Sequence, residues 1–299
     1  MMRLEDVLNN KVVTQSGIRL AQAMSPGMGH ALANMAAGII AGIRPTIYHT
    51  VQANLRHVLG HEVDPRQLAD TTRAVFAYAA RYNYEFFHAI EYDATQLARE
   101  VEVSPDIVRM VRDNMARGRG TLLLGTHTGN FNLGLLALST YRVPIQGLSL
   151  ANPTGGFEIL NRIRARWGLE LTPITPQSLR QAIRRLKAGG VVMTALDRPV
   201  PDDRHLVPFF DAPAYFAIGP VRLALMTGAD VILGSCYESP GRGQVLQMQP
   251  IDIVASKDRQ EAISVNALRL AQALEGFVRQ YPDQWLMFHP FWPGEADEA

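Results

Sequence analysis

Two patterns of apolar and polar positions divide the 299-residue chain. Up to about residue 118, apolar residues recur at steps of three or four, which is typical of helices with one buried face. Beyond Gly120, short apolar runs alternate with helical stretches of about ten residues, and this alternation predicts an α/β fold. We expect a mixed central sheet flanked by helices at 119–299, and a helical region throughout 1–118 packed on it as one structural unit.

The most apolar early stretch is Ala31–Ile43, which is about 13 residues long. Crossing a bilayer takes about 20 residues, so this stretch is too short to span one. Two interpretations are open: a helix buried in the core, or a helix that lies on a membrane surface. The first residues mix charges and lack an apolar h-region, so we predict no cleavable signal peptide.

Candidate chemistry is concentrated in Leu122–Leu138, which combines a buried strand, a short turn and an apolar helix. His127 follows the apolar run Thr121–Thr126, and the carboxyl end of a buried strand is where α/β proteins place reactive groups. The amides of Gly129 and Asn130 stand at the start of the predicted helix, where they would suit an anion or a developing oxyanion.

Two further groups have a claim to the same site. Asn132 is placed to fix the imidazole tautomer of His127 by a hydrogen bond. Asp197 follows the apolar run Val191–Leu196, so in a parallel sheet it reaches the same edge as His127. A loop ion pair between Asp197 and Arg198, or another arginine, is the alternative.

A basic cluster precedes Trp167-Gly168 on one predicted helix, and its members are Arg162, Arg164 and Arg166. Such a cluster is usually a solvated helix surface. The sharper interpretation is a site for phosphate or anionic lipid.

Composition and motifs exclude several other functions. The net charge is +1, from 29 basic and 28 acidic residues, so nothing indicates a nucleic-acid partner. The single cysteine, Cys236, excludes an intrachain disulfide and fits a reducing compartment. The sequence contains no GxSxG, GxxxxGK or HExxH motif and no cysteine pair for zinc.

An ordered series of motifs resembles the bacterial lipid A acyltransferase superfamily, which includes the phosphatidylinositol mannoside acyltransferases. The segment HTGNFN at His127 is similar to the family's H-x4-D/E block, which commonly reads HSGNWD in actinobacterial members. Further matches lie on both sides of this block, in the family's order across about 50–292. They are Asn54-Leu55, Arg166 with Trp167-Gly168, Leu196-Asp197-Arg198, Val207–Pro213, Gly219–Ala229 and Tyr281–His289. The H-x4-D/E block alone is a weak signal, and the ordered set is a strong one.

The resemblance implies transfer of a fatty acyl group from an acyl thioester, either acyl-CoA or acyl carrier protein, to a hydroxyl of a membrane glycolipid or lysophospholipid. It implies no metal or other cofactor, and a peripheral position at the cytoplasmic face of the cell membrane. His127 takes the role of general base. We expect the amides near Gly129 and Asn130 to stabilise the oxyanion, and the arginines, Arg166 foremost and Arg198 with it, to hold substrate phosphates. The resemblance also favours the membrane-surface interpretation of Ala31–Ile43.

The sequence departs from the family pattern at the acid of this block, where Asn132 stands, and Pro199 replaces a second acid. Asparagine cannot compensate a positive imidazolium, and in an analogous triad this change costs about 10⁴ in turnover. Three explanations are open: another carboxylate serves His127, with Asp197 as first choice; activity is low; or the acid was replaced deliberately. A catalytically impaired lipid-binding protein, and hydrolysis of the thioester by water, are the alternative functions.

Overall fold

The computed structural model describes residues 10–149, 155–198 and 204–294. Pro199 and the first nine residues of the predicted helical region therefore lie outside the described part. The described part begins with helices α1 (Lys11–Ala23), α2 (Pro26–Ile43), α3 (Thr46–Leu59), α4 (Pro65–His88) and α5 (Ala94–Glu100), with a 3₁₀ turn at Ala89–Glu91.

The remaining elements alternate between strands and helices. In chain order they are β1 (Val101–Val103), α6 (Pro105–Ala116), β2 (Thr121–Gly129), α7 (Phe131–Ser139), β3 (Ile145–Ser149), α8 (Gly156–Arg166), β4 (Leu169–Pro173), α9 (Pro176–Lys187), β5 (Val191–Ala195), β6 (Arg204–Phe209), β7 (Ala212–Ala217), α10 (Gly219–Thr227), β8 (Asp230–Ser239), β9 (Gly243–Ile251) and α11 (Arg259–Gln280).

Seven of these strands form one sheet in the order β1-β9-β8-β2-β5-β3-β4. Neighbouring strands are parallel except β8 and β9, which are antiparallel. This mixed sheet with helices on both faces confirms the predicted fold class.

Successive residues of β2 point to opposite faces, and each face has its own core. Leu122 and Leu124 belong to a cluster with residues of α9, α10 and α11. Leu123 belongs to a second cluster with residues of α6, α7 and α8. The sheet is thus buried on both faces, which explains why β2 reads as a continuous apolar run.

Helix α2 has an unusual distribution of side-chain sizes. Its buried side is made of small residues, Gly29, Ala33 and Ala37. At Gly29 a Cβ atom would lie 2.5 Å from the ring of Tyr84 on α4, so the close approach of the two helices requires glycine. The large apolar residues face outward instead, at helical spacing: Met28, Leu32, Met35, Ile39 and Ile43. We call these five residues the outer stripe.

One prediction about elements is wrong, and one hairpin was not predicted. The region 1–118 is not helical throughout, because Val101–Val103 forms an edge strand beside β9. The pair β6 and β7 forms an antiparallel hairpin that sequence reasoning missed. Its turn holds Phe210 and Asp211 at φ of 47° and 59°, a conformation normally signalled by Asn or Gly.

The segment Trp285–Phe288 does not form a strand. After a 3₁₀ turn at Pro282–Gln284, one isolated bridge joins Trp285 to Thr128.

The C-terminal segment is bound to the N-terminal helices through one buried side chain, Asn54 on α3. The Asn54 amide donates to the carbonyl oxygens of Met287 at 3.0 Å and His289 at 2.9 Å. Its carbonyl oxygen accepts a hydrogen bond from the Phe291 amide at 3.1 Å. One side chain therefore satisfies three backbone groups that are more than 230 residues away in sequence.

We expect Asn54→Ala to lower the free energy of unfolding by about 2–4 kcal/mol, because it leaves three backbone groups without partners in a buried setting. Asn83→Ala is the matched control, since Asn83 is exposed and bonds only to Ala79 in its own helix. Urea denaturation followed by circular dichroism measures both changes. Equal losses in the two variants would contradict the assigned role of Asn54.

Candidate active site

The parallel register of β2 and β5 brings His127 and Asp197 together. Gly125 on β2 pairs with Ala195 on β5, and the Leu196 amide donates to the Gly125 carbonyl at 2.9 Å. Each reactive residue lies two positions beyond this pair, so both emerge at the same edge of the sheet. The His127 Nδ1 atom lies 2.8 Å from Asp197 Oδ1.

An irregularity in β2 releases His127 from the strand ladder on the β8 side. Gly125 pairs with Gly234 on β8, but four residues later Gly129 pairs with Cys236, only two residues further on. The intervening part of β2 therefore bulges away from β8. The sequence predicted a strand that ends at His127, but β2 runs on to Gly129, so His127 lies two residues before the end of the strand.

The bulge gives the backbone of His127 two other partners. Its amide donates to Asp197 Oδ2 at 2.9 Å, and its carbonyl oxygen accepts from the Leu286 amide at 2.9 Å. The C-terminal segment thus runs beside the end of β2 and takes part in forming the site.

Asp197 is fully buried, and three donors satisfy its carboxylate. The ring and the backbone amide of His127 supply two, and the indole N–H of Trp285 supplies the third at 3.2 Å. Burial raises the pKa of Asp197, but the charge of His127 and these hydrogen bonds outweigh it, so the pKa lies below its usual value. The carboxylate is therefore ionised at neutral pH.

This arrangement assigns the two ring nitrogens of His127 different roles. An ionised carboxylate only accepts hydrogen bonds, so Nδ1 carries the proton that Asp197 receives. The other nitrogen, Nε2, then has a free lone pair and is the basic atom of the ring. The imidazole is also fixed by Phe131, whose ring makes an edge contact with it at a centroid distance of 5.2 Å.

Glycine is required at position 129, where the backbone of β2 lies very close to that of β8. Its φ is +67°, and a Cβ atom there would lie 1.6 Å from the carbonyl oxygen of Cys236. Asn130 caps α7, because its side-chain oxygen accepts from the Leu133 amide at 3.2 Å and its amide donates to Glu85 at 3.1 Å. The amino end of α7 thus begins close to His127, and donation by its amides to an oxyanion stays a prediction.

Asn132 does not contact His127 in the way the sequence predicted. Its amide donates to the hydroxyl of Tyr82, and its carbonyl oxygen accepts from Arg164 Nε at 3.0 Å and from Arg164 Nη2. The reason is geometric: Asn132 lies in the first turn of α7, on the side that faces α4 and α8. Asp197 takes the position beside His127 instead.

The arginines also differ from expectation. Arg166 is exposed and lies 3.7 Å from Glu91, so the residue predicted to bind substrate is in a surface ion pair. Arg164, two residues earlier in α8, turns inward to Asn132. Arg198 is exposed, and its guanidinium contacts the ring of His289. The sequence showed Arg162, Arg164 and Arg166 as one basic cluster and gave no sign that Arg164 occupies the inner face of α8.

Tyr82 connects these groups. Its ring lies 5.4 Å from that of Phe131, which in turn contacts His127. Burial raises the pKa of Tyr82, and the positive charges of Arg164 and Arg198 oppose that rise. Within the described residues, no group of three or more histidines, cysteines or carboxylates is arranged to hold a metal ion.

Comparisons of the whole chain with known proteins give its family. The sequence profile described as bacterial lipid A biosynthesis acyltransferase matches residues 18–293. The chain is 25% identical over 254 residues to phosphatidylinositol mannoside acyltransferase of Mycobacterium tuberculosis (strain CDC 1551 / Oshkosh), covering 83% of this chain and 78% of that protein. It is 24% identical over 288 residues to phosphatidylinositol mannoside acyltransferase of Mycolicibacterium smegmatis, covering 95% and 91%.

Among solved structures, a match is the 1-acyl-sn-glycerophosphate acyltransferase PlsC from Thermotoga maritima, at 16% identity and a TM-score of 0.37, covering 84% of this chain and 98% of that one. The family profile spans most of the sequence, so the chain belongs to the bacterial lipid A biosynthesis acyltransferase family. This confirms the resemblance seen in the ordered motifs. Membership supports acyl transfer to a lipid or glycolipid as the general activity.

The buried carboxylate predicts a specific pH dependence of stability. In the unfolded chain an aspartate titrates near pH 4, and the folded value for Asp197 is lower. Its ionised form therefore contributes stability that is complete above about pH 4 and is lost as the pH falls through the folded value.

We expect Asp197→Asn to lower the unfolding free energy at pH 7 by about 1–3 kcal/mol, because an amide group then faces other donors. The difference between variant and wild type should shrink as the pH falls below about 4. Denaturant midpoints measured from pH 7 into the acid range test the expectation, with the exposed Asp106→Asn as control. A difference that does not shrink as the pH falls below about 4 would contradict it.

Proposed function

We propose that this protein transfers a fatty acyl group from an acyl thioester, acyl-CoA or acyl carrier protein, to a hydroxyl of a membrane phosphoglycolipid or lysophospholipid. The observation that carries the proposal is the buried Asp197 carboxylate hydrogen-bonded to His127 Nδ1 at 2.8 Å. It supplies the acidic partner that the substitution at Asn132 removes from the family's motif. It therefore supports an active enzyme over a lipid-binding protein that merely keeps the fold.

In the proposed mechanism His127 is the general base. Its Nε2 atom takes the proton of the acceptor hydroxyl as the oxygen attacks the thioester carbonyl. Asp197 stabilises the imidazolium, and the amino end of α7 favours the negative charge that develops on the carbonyl oxygen. When the intermediate collapses, the C–S bond breaks and the thiolate takes the proton back from His127. These steps need no metal or other cofactor.

The outer stripe supports a position on a membrane surface. Its five residues are between 39% and 72% exposed. Helix α2 also contains no Asp, Glu, Lys or Arg. A helix on a soluble protein normally buries its large apolar residues and exposes polar ones, and α2 reverses this arrangement. None of the helices in the described ranges combines the length and apolar composition needed to cross a bilayer. We propose that α2 lies in the interface of the cytoplasmic leaflet of the cell membrane.

Contacts through one helix connect α2 to the candidate site, which supports this proposal. Helix α2 packs on α4, and α4 carries Tyr82, whose ring contacts Phe131 beside His127. Helix α4 thus lies between α2 and the residues that contact His127.

The base assignment is tested by acyl transfer from radiolabelled palmitoyl-CoA to lysolipid and glycolipid acceptors. We expect His127→Ala to abolish transfer and Asp197→Asn to lower turnover by about 10³–10⁴, because the tautomer is no longer fixed. His49→Ala is the control, since His49 is exposed on α3. Mass spectrometry of the products distinguishes acylated lipid from free fatty acid, which hydrolysis by water would release. Full activity in His127→Ala would overturn the mechanism.

Membrane association is tested by sedimentation with phospholipid vesicles. We expect Met35→Glu combined with Ile39→Glu to lower vesicle binding at least about tenfold, because two apolar contacts with lipid are lost. Leu206→Glu is the matched control, since Leu206 is also exposed but lies on the β6–β7 hairpin. If both variants bind as the wild type does, α2 is not the membrane contact.

A further inference from the structure

The charge of Arg164 has no carboxylate partner within the described part of the chain. The guanidinium is partly buried, and its hydrogen bonds go to neutral groups: Asn132 through Nε and Nη2, and Asn161 through Nη1 at 2.9 Å. The other arginines of α8 differ, because Arg162 lies 3.5 Å from Glu158 and Arg166 lies 3.7 Å from Glu91. The inward-facing arginine of this helix is thus the one without a carboxylate.

An arginine in this setting is unfavourable unless something compensates its charge. Burial lowers the pKa of Arg164, and Tyr82 partly opposes this effect, yet a guanidinium stays protonated in proteins. Amide oxygens accept hydrogen bonds from it but carry no net charge. Burying a cation with only dipoles around it is costly, so a fixed positive charge is held there without an intrinsic counterion.

The guanidinium keeps unused donors for a ligand. Arg has five N–H groups, and the bonds to Asn132 and Asn161 use three of them. One N–H on each terminal nitrogen remains to donate to phosphate or carboxylate oxygens. The Tyr82 hydroxyl accepts from Asn132 and keeps its own proton as a further donor.

We infer that Arg164, held by Asn132 and Asn161 and flanked by Tyr82, binds a phosphate group of one substrate beside His127. The inference rests on the proposed function, whose thioester donor and lipid acceptor both carry phosphate. It assigns Asn132 a role: the neutral amide orients the guanidinium through both Nε and Nη2 without neutralising it. Asn132 is therefore a specificity determinant, because it leaves Arg164 charged and able to select a negatively charged substrate group.

Asn132→Asp is the decisive variant, because aspartate has the same shape, accepts from Arg164 as asparagine does, and accepts from the Tyr82 hydroxyl where the asparagine amide donated. It converts the neutral contact into an ion pair, so we expect a higher thermal midpoint together with weaker phosphate binding. Asn83→Asp is the matched control: it makes the same amide-to-carboxylate change on the exposed side of α4, next to Tyr82.

Two pairs of probes distinguish the donor from the acceptor. Calorimetry compares coenzyme A with pantetheine, which lacks its phosphates. Sedimentation compares phosphatidylcholine vesicles that contain lysophosphatidate with vesicles that contain monoacylglycerol. We expect Asn132→Asp and Arg164→Gln to weaken binding of one phosphate-bearing probe at least about tenfold, and to leave its phosphate-free counterpart unchanged. The probe that is affected identifies the substrate whose phosphate Arg164 holds.

The inference is overturned if Asn132→Asp binds both phosphate-bearing probes as tightly as Asn83→Asp does, or if it weakens phosphate-bearing and phosphate-free probes equally. Should Arg164→Gln fail to fold, Asn132→Asp decides alone, because it keeps the contacts of the site. The binding assays do not require turnover. If the wild type transfers no acyl group but Asn132→Asp still weakens phosphate binding, the proposed function is contradicted and the inference stands. If the wild type transfers acyl groups through His127 but Asn132→Asp binds phosphate as the wild type does, the inference is contradicted and the proposed function stands.

Discussion

A carboxylate sealed from water organises the site, and much of the surrounding structure provides its hydrogen bonds. Asp197 reaches its position because β2 and β5 are parallel and in register, so their carboxyl ends stop at the same edge. Its three donors come from the bulged end of β2 and from the C-terminal segment. If any of these parts shifted, the buried carboxylate would lose a hydrogen-bond donor, which costs free energy. The geometry of the sheet and the orientation of the His127 ring therefore depend on each other.

The sequence was sufficient for those features that depend on strand periodicity and strand ends. Continuous apolar runs located the parallel strands, and the two polar residues at their carboxyl ends, His127 and Asp197, are the pair that the structure joins. The expected partner Asn132 illustrates the limit of this reasoning. Five positions after a histidine, a side chain lies within reach in sequence, but the direction of α7 turns it towards Tyr82 and Arg164 instead.

Other features depend on contacts between distant parts of the chain and leave no local signal. Arg164 and Arg166 look equivalent in a basic helix, and only the packing of α8 decides which one faces inward. The β6–β7 hairpin turns at Phe210 and Asp211, which adopt left-handed conformations without the glycine or asparagine that usually marks such a turn. Trp285 lies outside regular secondary structure, and its role follows from a partner 88 residues away.

The position of Trp285 has a consequence for how the protein matures. The third donor to Asp197 is supplied by the C-terminal segment, which Asn54 ties back to α3. During synthesis the strands β2 and β5 leave the ribosome long before this segment does. A nascent chain therefore carries its histidine and aspartate in an incomplete environment, and the dyad becomes fully assembled only when the last described residues have folded back. The fold thereby delays the appearance of a reactive base until the segment that carries Trp285 has folded back onto β2.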